Sequence, residues 1–131
     1  MENSSKIKVI LDTNFLLTMI RYKIHAIDEI NSQIPAEFFT LSGILGELNA
    51  LGKSDKKIKK EVAIAKEIIN KNNVKIIEST MENVDNELIT LSSDYVIATN
   101  DRELRIKVKK NGGKTIFVKK LTLVDVAEIT D

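Results

Sequence analysis

The sequence has no cysteine and a single histidine. No disulfide, thiolate zinc site or cysteine nucleophile can therefore form. A Ser-His-Asp triad would have to use His25, and a multi-histidine metal site is excluded. His25, in "YKIHAID", reads as a surface or partly packed residue on or near a helix. No apolar run approaches the roughly 18–20 residues needed to span a bilayer. The opening "MENSSKIKV" enters a strand too soon for a signal peptide, so the expectation is a cytoplasmic protein with no membrane partner. Pro35 is the only proline, and no linker, repeat or low-complexity tract breaks the chain. The 131 residues suit one domain, 1–131, with one core. Aromatic residues make up 5%, and Phe38, Phe39 and Phe117 fit a core better than a base-stacking platform. No glycine-rich turn follows the first strand, which argues against a dinucleotide or P-loop site.

Net charge is +1, so the bulk balance carries no nucleic-acid signature. Its distribution is more informative. Residues 1–50 hold four Lys/Arg against six Asp/Glu, a net −2. Residues 53–71 hold seven lysines against three acids, and 102–120 hold eight Lys/Arg against Glu103 alone. Such blocks either meet phosphate or form solvated helix faces.

Apolar patterning alternates between strand and helix. "KIKVIL" (6–11) reads as a strand, followed by a helix from Phe15 to about Gln33. "EFFTL" (37–41) is a second strand. Ser42 is placed to cap a helix with Ile44, Leu45, Leu48 and Leu51 on its apolar side. Ser54 or Asp55 caps the clearest helix, where Ile58, Val62, Ala65 and Ile69 share a face. "VKII" (74–77) is a third strand, and Asp85–Ser92 a short helix. "YVIAT" (95–99) is a fourth strand, and Asp101–Asn111 a helix ended by "NGG". "KTIFVKK" (114–120) is a fifth strand, and "LTLVDVAEIT" fits either a strand or a helix. The pattern predicts a three-layer α/β/α sandwich around a central, mostly parallel five-stranded sheet.

In such sheets ligands bind beyond the carboxyl ends of the strands, near the switch in strand order. Asp12 in "VILDTN" and Asp101 in "YVIATND" both follow apolar strands at that edge. Glu47 lies on the second helix, with Gly43, Gly46 and Ala50 on its side. Asp85 stands at a helix N-terminus, where the macrodipole favours an anion. Each acid alone has a plain structural explanation: three fit helix caps and Glu47 fits a surface residue. Two strand ends delivering aspartates to one edge are harder to explain that way. Carboxylates sharing a pocket either rise in pKa or take up a hard cation. Oxygen-only donors suit Mg²⁺ or Mn²⁺, which activate water and offset charge on a phosphate. Thr13, Asn14, Thr99 and Asn100 are placed to orient the carboxylates.

These segments resemble the PIN-domain nucleases. "VILDTNFLL" looks like the family's first motif, with Asp12 as its leading metal-binding acid. "LGELNAL" resembles the helix carrying the second acid, Glu47. "NVDNELITLSSDYVIATNDREL" resembles the third and fourth segments, which points to Asp85 and Asp101. The likeness runs from about Lys6 to Lys120 and favours the small-subunit-processome nuclease branch and its archaeal relatives over the toxin nucleases. Relatives often carry paired aspartates at the third position, whereas Asn86 follows Asp85 here, which leaves Asp94 as a competing third acid.

The resemblance implies an endoribonuclease dependent on one or two Mg²⁺ or Mn²⁺ ions, acting in rRNA processing or RNA turnover and leaving 5′-phosphate and 3′-hydroxyl ends. Arg102, Arg105, Lys53, Lys56 and Lys57 would hold the RNA backbone. A homodimer is a common arrangement in relatives, although no interface stripe is visible. Two other readings compete: a toxin nuclease held silent by a protein antitoxin, and a PIN-like module that binds RNA without turnover. Receiver-like and phosphatase-like domains also place aspartates at strand ends, but those phosphatases show a D-x-D pattern that "DTN" lacks.

Overall fold

The computed structural model describes residues 6–120 and 123–130. Strand β1 (Ile7–Leu11) carries the fully buried run Val9, Ile10 and Leu11 into the core. Helix α1 (Thr13–Arg21) follows at once, capped by Asp12. The single long helix expected over 15–33 is instead two. Lys23 adopts φ 54°, and the Ile24 N–H reaches back to the Met19 carbonyl at 2.8 Å, closing α1. Helix α2 (Ala26–Gln33) then starts in a new direction, with exposed His25 at its N-cap position making no side-chain capping bond.

Strand β2 (Ala36–Leu41) leads into helix α3 (Ser42–Ser54). Helix α4 (Lys56–Lys71) is capped by Asp55, whose Oδ1 accepts from the Lys57 N–H at 2.7 Å. Strand β3 (Lys75–Ile77), helix α5 (Val84–Leu91), strand β4 (Val96–Ala98), helix α6 (Arg102–Lys110) and strand β5 (Thr115–Lys119) complete the expected alternation. Gly112 ends α6 at φ 82°, the left-handed conformation glycine takes without steric cost. The segment that fitted either element type contains both. Strand β6 (Leu123–Asp125) pairs antiparallel with β5, and helix α7 (Ala127–Thr130) follows; residues 121–122 of that segment lie outside the described residues.

The sheet order is β3-β2-β1-β4-β5-β6, with every pair parallel except β5–β6. It therefore has one strand more than the five expected. Helices α1, α3 and α4 pack on one another, and α5 packs on α6, with the sheet between the two groups. Arg21 clamps α1 to α4 by pairing bidentately with the buried Glu61 at 2.9–3.1 Å. Strand order reverses at β1, whose neighbours β2 and β4 run on in opposite directions along the chain. The carboxyl ends of β1 and β4 thus form the switch point of this sheet. Among the described residues no helix is long and apolar enough to cross a membrane.

Candidate active site

Asp12 is the first residue past β1, and its N–H donates to the Ala98 carbonyl of β4 at 3.0 Å. Its side chain turns inward and is only 4% exposed. Oδ1 accepts from the Thr13 N–H at 2.8 Å, which caps α1. Oδ2 accepts from the Thr99 hydroxyl at 2.8 Å and from the Asn14 amide at 3.2 Å. Burial is the main reason its carboxyl rises from 3.8 to about 6. The Thr99 and Thr13 donors oppose that rise, and the charges of Asp85 and Glu47 add to it.

The β4 end mirrors this arrangement. Thr99 Oγ1 accepts from the Asp101 N–H at 3.2 Å, and Asn14 Oδ1 accepts from the Asn100 N–H at 2.8 Å. Asn100 Oδ1 in turn takes the Val118 N–H of β5 at 2.9 Å. Asp101 is the N-cap of α6, with Oδ1 accepting from the Leu104 N–H at 3.1 Å. The hydroxyl of Thr13 donates to Glu47 Oε1 at 2.6 Å, which ties α1 to the exposed acid of α3.

Asp85 lies in the first turn of α5, whose N-cap is Asn83 rather than Asp85. Its carboxyl is pushed up by partial burial and by the Asp101 charge, with Lys107 opposing and Glu103 adding. Two serines fix the loop that delivers it. The Ser79 N–H donates to Ser42 Oγ at 2.8 Å, and the Gly43 N–H donates to Ser79 Oγ at 2.9 Å. Buried Glu87 holds the same loop by accepting from the Thr80 N–H at 2.8 Å. Ser42, expected as a cap, is the first residue of α3 and instead grips this loop. A Cβ at Gly43 would stand 2.9 Å from Ser79 Oγ, so its smallness serves this loop contact, whereas Gly46 faces open space.

The four expected acids are linked in a chain of electrostatic neighbours: Asp12 feels Asp85 and Glu47, and Asp85 feels Asp101. Glu103 and Lys107 belong to that field as well. Sequence reasoning missed them as individuals, although "NDREL" placed Glu103 two residues past Asp101. Asp94 is elsewhere. It lines a hollow of about 360 Å³ with Lys6, Tyr95 and Gly113, at the amino ends of β1 and β4. Arg102, Lys53, Lys56 and Lys57 are exposed, while Arg105 lies with its guanidinium 4.0 Å over the Phe117 ring. Leu51, expected on the apolar side of α3, is 38% exposed.

The donor set fits a hard divalent cation. Among the described residues no three acids close on one point as a finished cage. Glu47 and Asp85 are exposed at this edge, with Glu47 held by the Thr13 hydroxyl at 2.6 Å. Asp12 is a buried carboxylate beside like charges, the state that an oxygen-seeking cation relieves.

A family model described as "PIN like domain" matches residues 9–120. The chain belongs to the PIN-like domain family. "Ribonuclease VapC4" of Methanocaldococcus jannaschii is 30% identical over 118 residues, covering 86% of this chain and 90% of that protein. The solved structure of the PIN domain endonuclease Utp24 superposes with a TM-score of 0.76 at 20% identity, covering 93% of this chain and 92% of that one. A domain of a functionally unknown M. jannaschii protein gives 0.63 at 16% identity, over 88% and 92%. The two structural likenesses bear on the fold, and the PIN-like α/β architecture expected from the sequence is the one observed.

Proposed function

We propose that this PIN-like chain is a metal-dependent endoribonuclease that hydrolyses phosphodiester bonds in an rRNA precursor or another structured RNA. The observation that carries the reading is the Asp12 carboxylate, buried at the switch in strand order and held by Thr99 and Asn14, where burial and the Asp85 and Glu47 charges push its pKa up. A buried, charge-crowded carboxylate at a switch point costs stability, and sites that bear such a cost are preferentially functional. RNA as substrate is supported by the relative named a ribonuclease at 30% identity.

Asp12 and Asp101 would hold one Mg²⁺ or Mn²⁺, with Glu47 and Asp85 as the further carboxylates for it or for a second ion. When bound, such a cation supplies a nucleophilic water at neutral pH and offsets charge building on the phosphate. The rest falls to the protein. Thr99 and Asn14 hold the Asp12 carboxylate in one orientation, and Thr13 does the same for Glu47. Arg102 and Arg105, on α6 just after Asp101, meet the RNA backbone, and Lys53, Lys56 and Lys57 at the corner between α3 and α4 extend that contact.

The test is cleavage of a structured RNA with Mn²⁺ by wild type and by Asp12→Asn and Asp101→Asn, each checked for folding. Cleavage by the wild type alone supports the reading. Equal rates in all three remove it.

A further inference from the structure

The stripe Glu47, Ala50, Leu51 and Ser54 occupies one side of α3 at positions i, i+3, i+4 and i+7. Together with Thr13 it lines a hollow of about 440 Å³. That volume lies within the roughly 300–1,000 Å³ of ordinary ligand sites. A second hollow, about 450 Å³, shares Ser54 and is lined by Lys53, Lys56 and Lys59 with Gly52 and Asp55. The two hollows adjoin at Ser54, the first beside Glu47 and the second at the corner between α3 and α4.

The chemistry of the walls differs sharply between the two. In the first hollow both hydroxyls are already engaged: Thr13 donates to Glu47 Oε1 at 2.6 Å, and Ser54 donates to the Leu51 carbonyl at 2.8 Å. What remains free is the apolar surface of Ala50 and Leu51, both solvent-exposed. Leu51, 38% exposed, presents the uncovered part of its side chain beside Glu47. In the second hollow the one acid, Asp55, is committed to capping α4 through the Lys57 and Ile58 N–H groups. Lys53, Lys56 and Lys59 bring three exposed positive charges to its lining. Lys57, expected among the RNA contacts, is not on this wall.

We propose that the Ala50–Leu51 hollow seats the base of an unpaired nucleotide beside the cleaved phosphodiester, and that Lys53, Lys56 and Lys59 hold the next phosphate. This rests on the nuclease reading for the position of the cleaved bond, and on the walls alone for what binds. Glu47 and Leu51 are one helical turn apart, about 6 Å along the axis, a separation that one nucleotide unit bridges. A base in a duplex must be unstacked and unpaired to reach Leu51, so the site favours single-stranded segments. With no free donor on the wall beyond the acid cluster, the seat accepts any base by its flat face rather than its edge.

Binding is measured without metal, in chelator, by fluorescence anisotropy of a labelled oligouridine RNA and of a base-free ribose-phosphate oligomer of equal length. Wild type binds the base-bearing strand several-fold more tightly than the base-free one, through apolar contact of the base with Ala50 and Leu51. Leu51→Asp loses that preference, and Leu51→Phe keeps it. Lys53→Ala/Lys56→Ala/Lys59→Ala weakens both strands alike and lowers the salt dependence. Equal binding of the two strands by wild type, or an unchanged preference in Leu51→Asp, overturns the proposal; the first comparison needs no variant, so a folding defect cannot mask it. If wild type cleaves RNA and the preference is absent, the base seat alone fails. If the preference is present and no metal yields cleavage, the nuclease reading fails and the seat stands as a binding site.

Discussion

Thr99 donates its hydroxyl proton to Oδ2 of Asp12 at 2.8 Å, joining the residue after β4 to the residue after β1. Thr99 Oγ1 itself accepts from the Asp101 N–H at 3.2 Å, so one buried hydroxyl serves both strand-end aspartates. Thr99→Val keeps the shape and removes both bonds. It leaves a buried carboxylate short of a donor and a backbone N–H short of an acceptor, at a cost of about 1–3 kcal/mol. Denaturant unfolding measures that loss. Because Thr99 holds the Asp12 pKa down, the variant also shifts the acid limb of any cleavage profile to higher pH.

The raised carboxyl of Asp12 has a defined sign in stability. Its folded value of about 6 lies above its ordinary 3.8, so the native state holds the proton more tightly than the unfolded chain. The contribution is fully present below about 3.8 and is lost as pH rises through 6. The loss approaches about 3 kcal/mol. Glu37 and Glu128, both lowered, act in the opposite sense, so the term is isolated by difference. The stability of wild type relative to Asp12→Asn falls from about pH 4 to about pH 7, and millimolar Mn²⁺ at the upper pH restores wild type only. Parallel pH curves for the two proteins would contradict this assignment.

What the sequence made legible follows from where its signals are physically strong. Buried parallel strands are apolar throughout, so "VIL" and "YVIA" stood out, and the acids after them were readable as strand ends. The break between α1 and α2 was not. Left-handed closure is signalled by Gly or Asn, as Asn73 does after α4, but here Lys23 takes that conformation. Leu51 satisfied the helical period of a core residue while facing the hollow, because periodicity records hydrophobicity and not what covers it. Ser42 looked like a cap because serine before a helix usually is one, yet its hydroxyl meets Ser79, a contact between residues 37 apart that no local pattern encodes. The short β6 lies in a segment whose pattern fits strand and helix equally.

Two glycines of α3 should respond oppositely to the same substitution. Gly46 meets nothing within 4 Å, so Gly46→Ala gains about 0.5–1 kcal/mol from helix propensity. Gly43→Ala puts a methyl 2.9 Å from Ser79 Oγ and 3.2 Å from Val84 Cγ2. Ser79 cannot simply turn away, because its hydroxyl oxygen accepts the Gly43 N–H. The overpacking costs about 1–3 kcal/mol and displaces the loop before Asp85. Thermal melts separate the two variants, and a stabilised Gly43→Ala would mean that the serine contact is slack.

Arg105 sets stability against binding. Its guanidinium lies 4.0 Å over Phe117, a contact worth about 0.5–2 kcal/mol. Its Nε is buried with no acceptor among the described residues, which costs about 1–3 kcal/mol. The second term is the larger, so Arg105→Lys, which deletes the stranded N–H and keeps the charge, leaves the unfolding midpoint unchanged or slightly raised. RNA affinity moves the other way. Lysine retains the counterion release but loses the rigid, stacked fork that meets a phosphate with two N–H groups. The variant therefore binds RNA more weakly with the same salt slope, while Arg102→Lys, at an exposed position beside it, changes binding less. Equal losses at the two positions would show that Arg105 acts through charge alone and that the Phe117 stack has no part in holding RNA.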